Sequence, residues 1–427
     1  MNDSTQDSAK AVECYKEAAN RGYANAQFML SQCYFFGLGV DKDYAKAVEW
    51  LHKSSALRSA AMMARDHYTD LGKRYFYGLD VDKDYEMAAD WFYKSALLGG
   101  ANAQFMLGQC YFFGFGVKKR DREQAVKWYS DAARQGVAVA QFMLGQCYFF
   151  GFGVKKEDRK QAVELYREAA RQGVTVAQFM LGQCYFFGFG VKKEDRKQAV
   201  ELYREAAGGD IPDTQLNYDV TTSWKFQGQK GHYRAQFMLG QCYLFGCGVE
   251  KDCAKAWNWY WKLLGGKDIG AKFMYDQCSY LCCGAEKDYA KAVDRYHELA
   301  EQDNADAQFM LGQHFFFGCD VEKDYAKAVD WYRKAAEQNH ACAQCALGDC
   351  YFYGFGKDIN WAEAAKFYSK AAEQGDACAQ CALGDCYFYG FGKDIDWAEA
   401  AKLYSKAEEK GDAYAGLMLR NCCGVNQ

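Results

Sequence analysis

AQFMLGQCYFFG, residues Ala103–Gly114, is too apolar for a helix that keeps one face in water. Gln104 and Gln109 are its conventionally polar side chains, and three of its twelve residues are Phe. Nearly the same string returns at Ala140, Ala177, Ala235 and Ala307, with looser copies from Ala26, Ala343 and Ala379. From Gln104 to Gln141 to Gln178 the step is 37 residues, and from Gln308 to Gln344 to Gln380 it is 36. A period of this size marks a solenoid, a propeller or a related array.

One unit, Ala138–Gly173, shows what is repeated. A strongly apolar run ends at Gly151, which suits the left-handed backbone that closes a helix. After the loop GFGV and a basic stretch, Asp158 with Gln161 three residues later resembles a capping box. Ala162, Val163, Tyr166, Ala169 and Ala170 then recur at helical spacing, with Lys160, Glu164, Arg167 and Arg171 on other faces, until Gly173 closes this second helix. Each unit is therefore two helices, an apolar helix A and an amphipathic helix B. Helices A are expected to begin near Ala24, His67, Ala101, Ala138, Thr175, Tyr233, Ala271, Ala305, Ala341, Ala377 and Ala413. The copies HYTDLGKRYFYG and AKFMYDQCSYLCCG are degenerate.

With about 100° between successive residues, Gln104, Leu107, Gly108 and Tyr111 share one side of helix A, and Ala103, Met106, Cys110 and Phe113 another. Stacked helix pairs cover both sides. Phe105, Gln109 and Phe112 lack an evident helical partner and are expected to line the inner, concave surface. The competing arrangement packs these rings on one another through tight curvature.

The composition agrees with an array. At 427 residues the chain exceeds the roughly 250–300 residues that one core usually organises, so growth along one dimension is expected. Half the residues are apolar and a quarter charged, a globular balance. The single proline, Pro212, is compatible with long helical stretches. MNDSTQDSAK has no basic flank before an apolar run, so no secretory signal is read. No apolar run reaches about 18 residues, so no membrane span is expected. A cytoplasmic location follows as the expectation, and the 20 cysteines are read as free thiols.

A net charge of −4 argues against a general nucleic-acid binder. Residues 101–207 nevertheless carry 17 Lys plus Arg against 11 Asp plus Glu, a surplus of +6 that leaves −10 elsewhere. Part of it sits in VKKEDRK at Val154–Lys160 and Val191–Lys197. The plain reading is a solvated loop that keeps an apolar protein dispersed, and the alternative is a basic stripe for an acidic partner.

The pattern carried by Ala101, Ala103, Gln104, Leu107, Gly108, Tyr111, Gly114, Gly116 and Val117, then Ala125, Trp128, Tyr129, Ala132, Ala133 and Gly136, resembles the Sel-one-like repeat family (suppressor/enhancer of Lin type), relatives of tetratricopeptide repeats. The resemblance covers almost the whole chain except Gly208–His232. It implies an all-α, right-handed α/α superhelical solenoid of stacked helix-turn-helix repeats of 36–37 residues, and a scaffold that assembles protein complexes. One cysteine-rich secreted subgroup bridges its helices with disulfides and is associated with peptidoglycan-type or β-lactam ligands. Ala336 and Gln344 occupy places where its bridging cysteines would stand, a departure that favours the reduced reading.

No reaction centre is evident. Cys33, Cys110, Cys147, Cys184, Cys242, Cys350 and Cys386 recur by whole repeats, as structural thiols do. The CxxC spacings Cys342/Cys345 and Cys378/Cys381 fall within predicted helices without a regularly placed His, so no metal site is assigned. The GFG loops follow helices rather than strands and are read as caps, not phosphate loops. His52, His67, His232, His297, His314 and His340 form no HExxH motif. Repetition also argues against catalysis, which needs one unique constellation. No enzyme activity and no cofactor are expected.

The candidate site is the Phe/Gln face. It comprises Phe28, Gln32 and Phe35; Phe105, Gln109 and Phe112; Phe142, Gln146 and Phe149; Phe179, Gln183 and Phe186; Phe237 and Gln241; and Phe309, Gln313 and Phe316. Aromatic anchors beside amide donors and acceptors suit capture of a protein or peptide partner. In the last two complete repeats the triad becomes Cys345, Asp349, Phe352 and Cys381, Asp385, Phe388, so that end is expected to be more acidic and less apolar. The chain is divided into an N-terminal repeat stack (1–207), an insertion (208–232) and a C-terminal stack (233–427). The insertion reads as a functional loop, a decayed repeat or a hinge. Polar capping repeats are not evident, which leaves end-to-end self-association open. The expected function is a non-enzymatic scaffold or adaptor, and the alternative is a ligand-binding or hydrolytic protein of cell-wall metabolism.

Overall fold

The computed structural model describes residues 3–41, 43–53, 58–208, 233–264, 269–283, 289–412, 414–416 and 418–419, and within these the side chains of some residues, Phe35 among them, are left undescribed. The described residues are helices joined by turns, with no strand among them. The helices at Ala24–Phe36, Ala101–Phe113, Ala138–Phe150, Thr175–Phe187, Tyr233–Phe245, Ala305–Phe317, Ala341–Tyr353 and Ala377–Tyr389 begin at the residues expected for helix A. Two others start earlier than expected. Arg58–Tyr77 is one continuous helix, because Arg58–Asp66 contains no Gly or Pro to stop it, and Ile269–Cys283 begins two residues before Ala271.

Local chemistry sets the ends. At Gly114 the backbone turns left-handed (φ 90°) and its N–H donates to the Cys110 carbonyl, satisfying an acceptor that the last helical turn leaves over. Asp121 caps the following helix, Arg122–Arg134, by accepting from the Gln124 amide at 3.0 Å. Asp195 does the same with Gln198 for Arg196–Gly208. A helix B ends through a paired closure in which Val137 N–H donates to Ala132 O and Gly136 N–H to Ala133 O.

Helix A lies along its helix B where Ala101–Phe113 packs on Arg122–Arg134, Thr175–Phe187 on Arg196–Gly208, Ala305–Phe317 on Tyr325–Glu337, Ala341–Tyr353 on Trp361–Glu373 and Ala377–Tyr389 on Trp397–Glu409. The closest approach is Gly108 beneath the ring of Tyr129, where a Cβ would stand 2.5 Å from two ring carbons. Gly182 and Tyr203, Gly312 and Tyr332, Gly348 and Tyr368, and Gly384 and Tyr404 repeat the arrangement. These tyrosines are essentially fully buried. A second contact joins units. The Gln308 Nε2 donates to Ala300 O at the end of the preceding helix B, and its Oε1 accepts from Gln338 at the end of the following one. Gln344 repeats both bonds with Ala336 and Gln374, and Gln104 makes them with Ala96 and Gln135.

The chain forms two compact units, Met1–Asp158 and Arg159–Gln427. In the second, Arg196–Gly208 packs directly on Tyr233–Phe245, so the helices flanking the insertion are neighbours. Residues 209–232, which include Pro212, Trp224 and Phe226, lie outside the described residues. The expected helix near Ala413 is described only at 414–416 and 418–419, which are helical. Among the described residues no helix is long and apolar enough to cross a membrane.

Candidate functional site

The structure corrects the expected exposure of the phenylalanines. In the first unit Phe105 and Phe112 are each 1% exposed, and Phe142 and Phe149 are buried as well. The face expected to lie open has two covers. Phe105 and Phe112 lean on Tyr129 of the unit's own helix B, and Phe152, from the GFG loop of the next repeat, meets Phe112 edge to face at 5.8 Å. Gln109 and Gln146 remain half-buried, as do Phe28 and Gln32. Phe35 lies outside the described side chains.

In the second unit Phe179, Phe186, Phe309 and Phe316 are also buried. Their partners include rings from distant repeats. Phe186 meets Phe317 edge to face at 5.8 Å, and Phe187 meets Phe355 at 4.6 Å. Inner faces of helices far apart in sequence are thereby brought together, and they leave a cavity of about 100 Å³. It is lined by Phe179, Gln183, Phe237, Gln241, Phe309, Gln313 and Phe316, all of them candidate site residues. Phe186 packs beside it through Phe317 without lining it.

The cavity also has lining that the Phe/Gln pattern did not single out. Arg234, Asp349, Tyr353, Asp376, Cys342, Cys345, Ala346 and Cys378 contribute to its wall. The signal for part of this lay in the departures from the repeat. Where Ala101–Phe113 has Phe105 and Met106, the helix Ala341–Tyr353 has the smaller Cys345 and Ala346, both of which line the cavity. Where it has Gln109, the later copy has Asp349. The more acidic, less apolar lining expected at this end is thus present in the cavity wall.

Its electrostatics follow from burial. The Asp349 carboxylate accepts from Tyr368 Oη at 2.7 Å and lies 3.6 Å from the Arg234 guanidinium. Burial pushes the Asp349 carboxyl above the usual carboxylate range, although Arg234 and the Tyr368 hydrogen bond oppose this. Asp385, one repeat later, accepts from Tyr404 at 2.8 Å and Tyr414 at 2.9 Å. Burial nevertheless raises it to about 6. Asp412 is likewise raised by burial to about 6. Asp376 caps Ala377–Tyr389 by accepting from the Ala379 amide at 2.8 Å while also facing the cavity. Arg234 further lies over the Phe179 ring, 5.6 Å from its centre. Its counterparts in other repeats are Asn102, Val139, Val176, Asp306, Cys342 and Cys378, so the cation is peculiar to this unit.

The regularly spaced cysteines are sealed in the core. Cys110, Cys147, Cys184, Cys242, Cys350 and Cys386 have no exposed surface. Burial raises the Cys147 and Cys184 thiols to about 12. Among the described side chains no cysteine is joined in a disulfide.

The Sel1 repeat matches residues 2–23, 24–59, 68–100, 101–137, 138–174, 175–209, 234–262, 305–340, 343–376 and 379–412. The chain belongs to the Sel1 repeat family. Proteins of this repeat family are typically protein-interaction scaffolds. The Sel1 repeat chain is similar to a protective antigen present in uropathogenic Escherichia coli strains and displaying an SLR fold. That match has 28% identity and a TM-score of 0.45, over 96% of this chain and 94% of the other. It is also similar to a Sel1 repeat protein from Oxalobacter formigenes, with 26% identity and a TM-score of 0.34, over 86% and 89% of the two chains. Yeast Tom70 aligns over 95% of this chain and 96% of its own, with 13% identity and a TM-score of 0.28. No curated protein matches the chain.

Proposed function

We propose that this Sel1 repeat protein is a non-catalytic scaffold that seats a segment of a protein partner on the inner face of residues 159–427. The observation that carries the proposal is the cavity in which Phe/Gln positions from Thr175–Phe187, Tyr233–Phe245 and Ala305–Phe317 converge. A pocket that combines apolar walls with a few convergent polar groups is the usual form of a binding site. Repetition supports the absence of catalysis, because the same inner-face positions recur along the chain rather than forming one singular reacting group.

Selection of a displayed peptide library on the purified chain tests this reading. Bound peptides are expected to lose affinity when Ala346→Met refills the cavity with the side chain that the preceding repeat carries as Met310. Peptides that bind equally well to Ala346→Met would place the docking face elsewhere. Burial changes the choice of variant, since Phe112→Ala or Phe186→Ala would empty the core by about 3–5 kcal/mol before reporting on any partner.

A further inference from the structure

We propose that the cavity of residues 159–427 receives a basic side chain, arginine or lysine, from the protein partner. This deepens the scaffold reading and rests on it.

Three independent features support that chemistry. The first is space made by sequence change, since Cys345 and Ala346 stand where Phe105 and Met106 stand in the earlier repeat. The second is charge. Asp349 and Asp376 line the cavity together with Arg234, and Asp385 and Asp412 lie within electrostatic reach of the same guanidinium. One cation among these carboxylates leaves the surroundings net negative once they ionise. The third is an unused acceptor. Gln183 is 6% exposed and lines the cavity, and its Oε1 has no hydrogen-bond partner. A buried carbonyl oxygen in that condition favours a ligand that donates N–H.

Arg234 shows that a guanidinium is compatible with this wall, in salt-bridge range of Asp349 and over the Phe179 ring. An incoming anion would have Arg234 as its attraction and Asp349, Asp376, Asp385 and Asp412 against it. A cation meets the opposite balance, and its N–H groups supply the donor that Gln183 Oε1 lacks, which an anion cannot. A cavity of about 100 Å³ accommodates the head of one side chain rather than a folded element.

The test uses the full chain and Gly/Ser heptapeptides identical except at the centre, where they carry arginine, lysine, citrulline or glutamate, with free propylguanidinium alongside. Calorimetry at pH 7.5 is expected to show the arginine peptide binding at least about tenfold tighter than the citrulline peptide, as close charge pairing does at interfaces. Asp349→Asn and Ala346→Met should each remove that advantage. Ala346→Met leaves every charge in place, so it decides the matter if Asp349→Asn fails to fold. Equal binding of arginine and citrulline peptides, or preference for glutamate, overturns the proposal. Propylguanidinium binding as tightly as the arginine peptide assigns the cavity to a small cation and overturns the partner assignment. If uncharged library peptides bind the cavity while basic ones do not, the charge class fails and the docking face stands. If no peptide binds at all, both readings fail.

Discussion

Gly108 lies under the ring of Tyr129 so closely that the first carbon of any side chain there would fall 2.5 Å from the ring. Tyr129 is itself completely buried and contacts Phe105 and Phe112, so it cannot swing into solvent without uncovering them. The helix pair is thus held at a distance set by the absence of one methyl group. Gly108→Ala is expected to destabilise the first unit by about 1–3 kcal/mol through overpacking. Urea unfolding followed by circular dichroism measures it, and a loss below about 0.5 kcal/mol would show that the tyrosine relocates freely.

The glutamine joint makes a separate prediction. Gln308→Ala leaves the Ala300 carbonyl without its side-chain donor and Gln338 without its acceptor. A cost of about 1–3 kcal/mol is expected. Gln308→Glu retains the acceptor but removes the donor, so it should rescue little. Comparable stability of Gln308→Ala and the parent chain would remove the joint from the forces that hold units together.

Thiol reactivity should divide the cysteines by burial. Cys14 is exposed, whereas Cys110, Cys147 and Cys184 are buried, with raised thiol pKa values. Because the thiolate is the reacting species, iodoacetamide at pH 7.5 should label Cys14 rapidly and leave those three untouched until the chain unfolds. Peptide mass spectrometry reads the order directly. Native labelling of Cys147 at the rate of Cys14 would contradict the burial of Cys147 in the core.

The two carboxyls raised to about 6 give an unusual acid response. A carboxyl whose folded pKa exceeds its unfolded value of about 3.9 binds its proton more tightly in the folded state. Its stabilising contribution is full below the unfolded pKa and is lost as pH rises through about 6. Asp385 and Asp412 should therefore favour the folded second unit more at pH 5 than at pH 7, against paired carboxylates such as Asp324, which work in the other direction. Arg234, Tyr404 and Tyr414 oppose or share the Asp385 titration, and Arg234 also acts on Asp412. The melting temperature of the parent chain minus that of Asp385→Asn/Asp412→Asn should rise on acidification from pH 7 to pH 5, whichever chain is the more stable at pH 7. A difference independent of pH would show that neither carboxyl is raised.

Much of the architecture was legible because helix signals are local. Gly114 and Gly151 marked the ends of helices A, and the Asp158–Gln161 spacing named the kind of cap that Asp121 and Asp195 form at the starts of their helices B. The inner face was harder to read. A helical wheel places Phe112 opposite the neighbouring helices, yet it cannot anticipate that Phe152 from the next loop folds over it. The meeting of Phe186 with Phe317 was further out of reach, since periodicity specifies which neighbour a helix touches but not how sharply the succession bends. The position of Asp349 in the cavity was partly visible as a break in the Phe/Gln pattern. That of Arg234 was not, because it stands at an otherwise variable place beside the insertion.

The bonds of Gln308 and Gln344 have a bearing on ancestry. Each joint uses the same side chain, the same donor atom and the same carbonyl at the end of the preceding segment. Genetic duplication of one module would therefore carry its fastening with it, and excision would leave matching ends to close. Chain length can drift under such a scheme while the coupling chemistry stays constant, and individual modules such as Ala341–Glu373 are free to acquire their own lining.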